Sequence, residues 1–313
     1  IRLEQTGQAL HHATRQQLNA LRMLGSQKRL LINGIAGSGK THLALTLAKQ
    51  HAQQGKRVLM TCYNHVLASQ LNYMTEDQPN IEAISFHDLV EKLTKQAGLS
   101  YNPPKEKQAL QHFYAEGTTQ MLFDALEHID VAYDTIIIDE AADFKAIWWD
   151  AIEMLGAEDF SWYCFYDLQQ SLYLEQNDWQ PPFAANVMPL TDNLRNTQPI
   201  GLTAAQYGQC PPAENYLVKE GLEPVWYHHD NFDEMADQLR NLLKQLIEKD
   251  LVPAEKIVVL SPYRHTNEQS TWSSGLNKVT INTEMTVFKT GQVRVGTIHS
   301  FKGWEMKNII IIL

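Results

Sequence analysis

The sequence predicts an α/β protein built on parallel sheets, and three observations carry that prediction. Short apolar runs alternate with helical patterns along the whole chain. A glycine-rich stretch, Gly34-Ile-Ala36-Gly37-Ser38-Gly39-Lys40-Thr41, lies between an apolar run and a helical pattern. Further on, three consecutive isoleucines end in two carboxylates, Asp139 and Glu140.

The strand candidates are 30–32, 58–61, 81–85, 135–139, 162–166, 257–261, 293–297 and 309–313. Several are unbroken Ile/Val/Leu runs, as expected of parallel strands covered on both faces. Among the helical patterns, Phe232, Met235, Leu239, Leu242, Leu243 and Leu246 form a stripe at spacings of three and four. Such a stripe reads as core packing. Gln180-Pro-Pro-Phe183 precedes an expected boundary near residue 187. The reading is two parallel α/β domains, 1–186 and 187–313, each made of crossover units. A small helical insertion is expected near 88–133, with Tyr101-Asn-Pro-Pro104 as its turn.

Composition narrows the class. The chain has 313 residues, of which 44% are hydrophobic and 20% charged, as in ordinary soluble globular proteins. No apolar run approaches the roughly 20 residues of a membrane helix, and no signal peptide is visible, so no membrane partner is expected. The sequence opens on Ile1 rather than Met, which suggests a piece of a longer protein. Three scattered cysteines, Cys62, Cys164 and Cys210, lack metal-ligand spacing, and a reducing, cytoplasmic setting is the default expectation. The formal net charge of −10 argues against non-specific coating of nucleic acid. It leaves room for a narrow groove that grips one strand by stacking and a few cations.

The glycine-rich stretch fits the phosphate-loop pattern G-x-x-x-x-G-K-[ST] at every fixed position. Its glycines let successive backbone N–H groups turn toward phosphate oxygens, and the helix N-terminus adds a favourable dipole. Gly34, Ala36, Gly37, Ser38, Gly39 and His42 are therefore candidate nucleotide contacts. Lys40 is expected to reach the β- and γ-phosphates of ATP, and the Thr41 hydroxyl to ligate Mg²⁺.

Asp139-Glu140-Ala-Ala-Asp143-Phe144 closes the isoleucine strand at its C-terminal end, where open α/β sheets bind ligands. Asp139 is placed to hold Mg²⁺ directly or through water, and Glu140 to orient or deprotonate the attacking water. Phe165-Tyr166-Asp167-Leu-Gln169-Gln170-Ser171-Leu-Tyr173 follows another apolar strand. The Gln170 amide both donates and accepts, so it can sense a γ-phosphate.

Taken in order, these runs resemble superfamily 1 helicases of the UvrD/Rep type. Thr14-Arg-Gln-Gln17-Leu-Asn-Ala-Leu21 is similar to the upstream glutamine motif. Leu59-Met-Thr61-Cys-Tyr63-Asn64-His-Val-Leu67 and Ser85-Phe86-His87 resemble two DNA-contacting motifs. Asp139-Glu140-Ala-Ala-Asp143 resembles Asp-Glu-x-Gln-Asp, and Asp167-Leu-Gln-Gln170-Ser-Leu-Tyr173 resembles Gly-Asp-x-x-Gln-Ser-Ile-Tyr. Leu190-Thr-Asp-Asn193-Leu194-Arg195-Asn196-Thr197 is similar to Asn-Tyr-Arg-Ser-Thr. Thr297-Ile-His299-Ser-Phe-Lys302-Gly303-Trp304-Glu305 is similar to Thr-x-His-Ser-x-Lys-Gly-Leu-Glu.

The resemblance implies two RecA-like P-loop domains, the second truncated at its C-terminus, with Mg·ATP between them. It implies that Gln17 reads the adenine edge, that Glu305 bonds the ribose, and that Arg195 faces the γ-phosphate from outside the first domain. With Lys40, Glu140 and Gln170, Arg195 completes the expected catalytic set. Thr61, Tyr63, Asn64, Phe86, His87, Thr297 and His299 fall on the nucleic-acid side, with Tyr63 and Phe86 able to offer flat faces to bases. The expected function is an ATP-dependent single-stranded DNA translocase or helicase. The alternatives are a P-loop switch that binds DNA or a protein without unwinding, and an RNA helicase.

Departures from the family pattern qualify that expectation. Leu194 stands where an aromatic residue stacks on adenine, and Glu175 where a Trp wedges between bases. The chain ends at Ile309-Ile-Ile-Ile-Leu313, before the family's last motif, so the piece is expected to be weakly active. Its shorter spacing also resembles helicase-like proteins fused to a nuclease-related domain.

Overall fold

Strand β1, Arg29–Gly34, runs into the glycine-rich loop, and the helix Lys40–Gln53 leaves it. The computed structural model describes residues 17–22, 27–170, 179–267, 270–277, 279–284 and 289–313. The chain divides into two compact units, Ile1–Pro224 and Val225–Leu313.

In the first unit, β2 (Val58–Cys62), β3 (Ile81–Ser85), β4 (Tyr133–Ile138), β5 (Gly156–Tyr166) and β6 (Val187–Leu190) join β1 in one sheet. Its order is β3-β2-β4-β5-β1-β6, and every pairing is parallel. Successive residues of each strand point to opposite faces. Leu31, Leu59, Ile136, Ile138 and Trp162 enter one core. Ile32, Val58, Met60, Ile137 and Phe165 enter the other. Both faces are covered, which is why these strands are apolar throughout rather than alternating.

The helix Lys40–Gln53 covers the second face with Leu43, Leu47 and Ala48. The helix Phe86–Gln96 covers the first with Phe86, Leu89, Val90 and Leu93, a stripe at i, i+3, i+4 and i+7. Ser85 caps that helix by accepting from Asp88 N. The stretch 88–133 holds the rest of this helix, then helices Lys107–His112 and Thr118–Leu126.

The expected boundary near 187 lies inside the first unit. Val187–Leu190 is the edge strand beside β1, with Leu31 opposite Val187 and Gly34 opposite Leu190. The preceding Pro-rich stretch packs back on the core: Phe183 is buried against Trp162, and Trp149 Nε1 donates to Gln180 O at 2.8 Å. Beyond it, β7 (Asn193–Thr197) pairs in parallel with β8 (Tyr216–Val218).

The second unit has a four-stranded parallel sheet of β9 (Ile257–Ser261), β10 (Ile281–Asn282), β11 (Val293–Thr297) and β12 (Asn308–Ile311), ordered β10-β11-β9-β12. Helix Phe232–Lys244 packs Leu239 and Leu243 into its core with Ile257, Val259 and Val293. The expected stripe is therefore mostly core, except that Phe232 at the helix start is exposed.

The expected α/β class with parallel sheets holds, and all eight expected strands form. Four short strands, β6, β7, β8 and β10, were not expected.

Candidate functional site

The loop after β1, the turn after β4 and the turn after β5 meet at the carboxyl edge of the first sheet, where β1 lies between β5 and β6. Three glycines shape the loop. Gly37 and Gly39 adopt φ of 75° and 82°, a region that disfavours any side chain. A Cβ on Gly34 would sit 2.5 Å from Ser38 Oγ and 2.7 Å from Lys40 Cγ. Only glycine lets Lys40 fold under the loop. Its Nζ donates to Gly34 O at 2.8 Å and Ile35 O at 3.3 Å, and faces Asp167 Oδ2 at 3.5 Å. Both side chains of that ion pair are buried, 6% and 4% exposed.

Thr41, in the first turn of the helix, donates its hydroxyl to Asp139 Oδ2 at 2.6 Å. Asp139 Oδ1 accepts from Glu140 N at 3.0 Å. Burial, reinforced by the neighbouring Glu140, pushes the Asp139 carboxyl up to about 6. A carboxylate so placed is short of compensating positive charge, and a cation would restore its usual acidity. Among the described residues, no group of three or more His, Cys, Asp and Glu is arranged to hold a metal ion. One hydroxyl and one carboxylate instead suit a hard cation that keeps waters and takes phosphate oxygens, as Mg²⁺ does.

Glu140 occupies the left-handed region, φ 53°, and is 7% exposed. The turn that holds it continues through Asp143 N to Glu140 O and is tied from outside by Trp179 Nε1 donating to Ala141 O at 2.8 Å. After β5, Gln170 Nε2 donates to Asp167 Oδ2, and Gln169 N donates to Asp167 Oδ1 at 3.0 Å. Lys40, Asp167 and Gln170 thus form one connected chain. Asp167 is the acceptor that joins them.

The remaining expected residues are placed as follows. Gln17 Nε2 donates to Ser38 O at 3.3 Å, on the loop itself. His42 is exposed on the helix from Lys40. Arg195 is exposed on β7 and belongs to the same compact unit as the loop, not to a body outside it. Leu194 is buried and lies 3.4 Å from where a Gly39 Cβ would be.

Among the residues expected to meet nucleic acid, Phe86 requires a correction. It is fully buried, stacked on Trp148 at 4.7 Å between centroids, and cannot offer a face to a base. The helix stripe that begins with Phe86 turns it inward. Thr61 is likewise fully buried in β2. Tyr63 and His87 are partly buried around the same Trp148, with centroids at 5.8 and 5.3 Å. Burial holds the His87 imidazole down to about 4, so it is neutral. Asn64 accepts from Val66 N and Leu67 N, capping the helix His65–Met74.

Thr297, His299 and Glu305 belong to the second unit. Thr297 Oγ1 accepts from Ser300 N at 3.1 Å in a reciprocal capping box, while His299 and Glu305 are exposed. Tyr173 and Glu175 lie outside the described residues, as does Thr14.

No helix among the described residues is long and apolar enough to cross a membrane. The family described as AAA domain matches residues 12–152, a span that holds the loop, Thr41, Asp139 and Glu140. No curated protein matches. Among solved structures, the chain is similar to a Pif1 helicase from Candida albicans at 12% identity and a TM-score of 0.37, covering 79% of this chain and 50% of that one. A Bacteroides sp Pif1 in complex with ADP-AlF4 gives 12%, 0.34, 80% and 53% in the same order. A structure of two coordinating Pif1 helicases in DNA unwinding at forked dsDNA gives 12%, 0.35, 80% and 54%. The chain spans about half the length of these structures.

Proposed function

We propose that this chain is the ATP-hydrolysing part of a motor that acts on single-stranded DNA. One observation carries the nucleotide half of the reading. Thr41 and Asp139, 98 residues apart in sequence, meet at 2.6 Å beside a glycine loop whose Lys40 is already held under it. Mg·ATP would supply the electrophilic phosphorus and the metal's charge. Lys40 would add its ammonium to the phosphates, and Thr41 with Asp139 would hold the metal. Glu140, fixed by its strained turn next to Asp139, would take the proton from water. Gln170 would report on the γ-phosphate through Asp167. Arg195, exposed on the strand that follows, would add a cation to the transferred group.

The DNA half is supported by the run of motif-like segments and by Tyr63 and His87 beside the carboxyl edge. The UvrD/Rep-type assignment is part of the same proposal. The test uses the full-length protein: ATP turnover with and without single-stranded DNA, then strand displacement on a forked duplex. DNA-stimulated turnover with ATP-dependent displacement supports the reading. Turnover without displacement favours a switch, and preferential stimulation by a matched RNA oligonucleotide moves the substrate to RNA. Absence of nucleotide binding refutes the proposal.

A further inference from the structure

The phosphate loop is fastened from outside by the segment that carries Arg195. Asn193, 3% exposed at the start of β7, donates through Nδ2 to Ala36 O at 3.0 Å. The next residue completes a second link, Leu194 N to Gly37 O at 2.9 Å. The same Asn193 side chain turns back with its oxygen. Oδ1 accepts from Arg195 N at 3.2 Å and Asn196 N at 2.8 Å. The fit is close: a Cβ on Gly37 would fall 2.5 Å from Asn193 Oδ1 and 2.9 Å from its Cγ. Asn193 is itself anchored, its own N–H donating at 2.8 Å to the carbonyl of Asn215, the residue before β8.

We infer that Asn193 is a positioning residue for nucleotide, with two separable jobs. Its amide nitrogen clasps the Ala36–Gly37 edge of the loop, so that these carbonyls face the protein and the peptide N–H groups are presented to phosphate. Its amide oxygen shapes the turn from which Arg195 projects. Because one planar amide does both, the loop and the arginine are set relative to each other before any nucleotide arrives. An amide is suited to this task. A carboxylate would set an oxygen against Ala36 O, and a hydroxyl could cap the turn but not span to the loop. The inference deepens the nucleotide reading above and rests on it for its kinetic consequences.

The experiment compares Asn193→Ser and Asn193→Ala in the full-length protein. Amide hydrogen exchange without nucleotide, read at Leu194 N, which donates to Gly37 O, and at Ile35 N and Ser38 N of the loop, follows the clasp and does not depend on any activity. Nucleotide affinity and the kinetics of hydrolysis read the positioning. Both variants are expected to lose protection in the loop. Loss of the link should weaken nucleotide binding roughly tenfold, the scale of one hydrogen bond of modest net strength. Asn193→Ser, which keeps a cap for Arg195 N, should raise KM more than it lowers kcat. Asn193→Ala, which loses both contacts, should lower kcat clearly further. Unchanged exchange in both variants overturns the clasp. Lost protection with unchanged nucleotide affinity overturns the positioning role, as does a pair of variants that differ from the parent in melting temperature alone. If the parent protein binds no nucleotide, the functional proposal fails while the exchange measurement still decides the clasp.

Discussion

Replacing Lys40 should destabilise the fold as well as abolish nucleotide binding, and the two effects can be separated. In Lys40→Met the ammonium that faces Asp167 at 3.5 Å is gone, and with it two donors to the loop carbonyls of Gly34 and Ile35. Asp167 is 3% exposed, so it is left as a buried anion. Breaking a buried pair from one side costs about 3–5 kcal/mol. Two donors to Asp167 survive, from Gln169 N and Gln170 Nε2, which places the expected cost near the lower figure, about 2–3 kcal/mol. For a unit of this size that lowers the melting temperature by roughly 5–10 °C. The compensating change is Asp167→Asn, which removes the stranded charge. The double variant should regain a large part of the lost stability and still bind no nucleotide. Calorimetry of the three nucleotide-free proteins gives the stabilities, and nucleotide titration gives the binding. A Lys40→Met protein that melts with the parent, or a double variant no more stable than the single, refutes the coupling. Normal ATP turnover by either removes Lys40 from the site.

Three further outcomes follow from the geometry. Glu140→Gln should keep Mg·ATP binding and lose hydrolysis by roughly 10²–10⁴-fold, since the amide keeps the shape but cannot take a proton; unchanged turnover in a steady-state assay would remove Glu140 from the chemistry. Phe86→Ala should cost about 3–5 kcal/mol in urea denaturation, the scale of an emptied aromatic core site, whereas a stability like the parent's with impaired strand binding would return Phe86 to the nucleic-acid face. His51, whose Nδ1 meets Thr135 Oγ1 at 2.7 Å, is held down to about 4 by burial and then by Lys56, against an ordinary 6.5. Its unfolded form therefore binds a proton that the folded form refuses. The stability it contributes is whole above pH 6.5 and is lost as pH falls toward 4, by at most about 3 kcal/mol. Urea midpoints at pH 7 and pH 4.5 should thus fall less in His51→Asn than in the parent, and equal falls would contradict the assignment.

What the sequence disclosed and what it withheld have physical reasons. The strands from Leu30, Val58, Ile136 and Ile257 were legible because both their faces are buried, which forces unbroken apolar runs. The short strands were not. Val187–Leu190 contains Pro189 and lies at a sheet edge, and Asn193–Thr197 carries four polar residues beside Leu194. Their pairing is dictated by tertiary contacts rather than by composition. The meeting of the loop with Asp139 was legible because each follows an apolar parallel strand, and a parallel sheet gathers those ends on one edge. Phe86 belongs to the core, and the sequence carries a signal for that. Ser85 is a good N-cap and Phe86, Leu89, Val90 and Leu93 make one helical face, which turns the ring to the core. Asp167 and Asn193 stood in recognised stretches, but their roles depend on partners 127 and 157 residues away in sequence, and no local pattern encodes such a pairing.

The accounting of the loop's carbonyls ties these residues into one design. A buried peptide oxygen needs a donor, and each such oxygen in the loop finds one within the protein. Gly34 O and Ile35 O take Lys40, Ala36 O takes the Asn193 amide, Gly37 O takes Leu194 N, and Ser38 O takes Gln17. Ile35 N closes the set from the strand side by donating to Leu190 O at 3.2 Å. Five carbonyls committed to the protein turn the opposite edge of the same peptides outward. The four donor residues come from three segments: Gln17 before β1, Lys40 at the end of the loop, and the Asn193–Leu194 pair after β6. In the proposed function, Lys40 is the one donor among them that would also bind the phosphates. Were it to leave Gly34 O and Asp167 for a ligand, Asn193 and Gln17 would remain to hold the loop's shape. This division explains why the residue that gives the charge need not be the residue that gives the geometry.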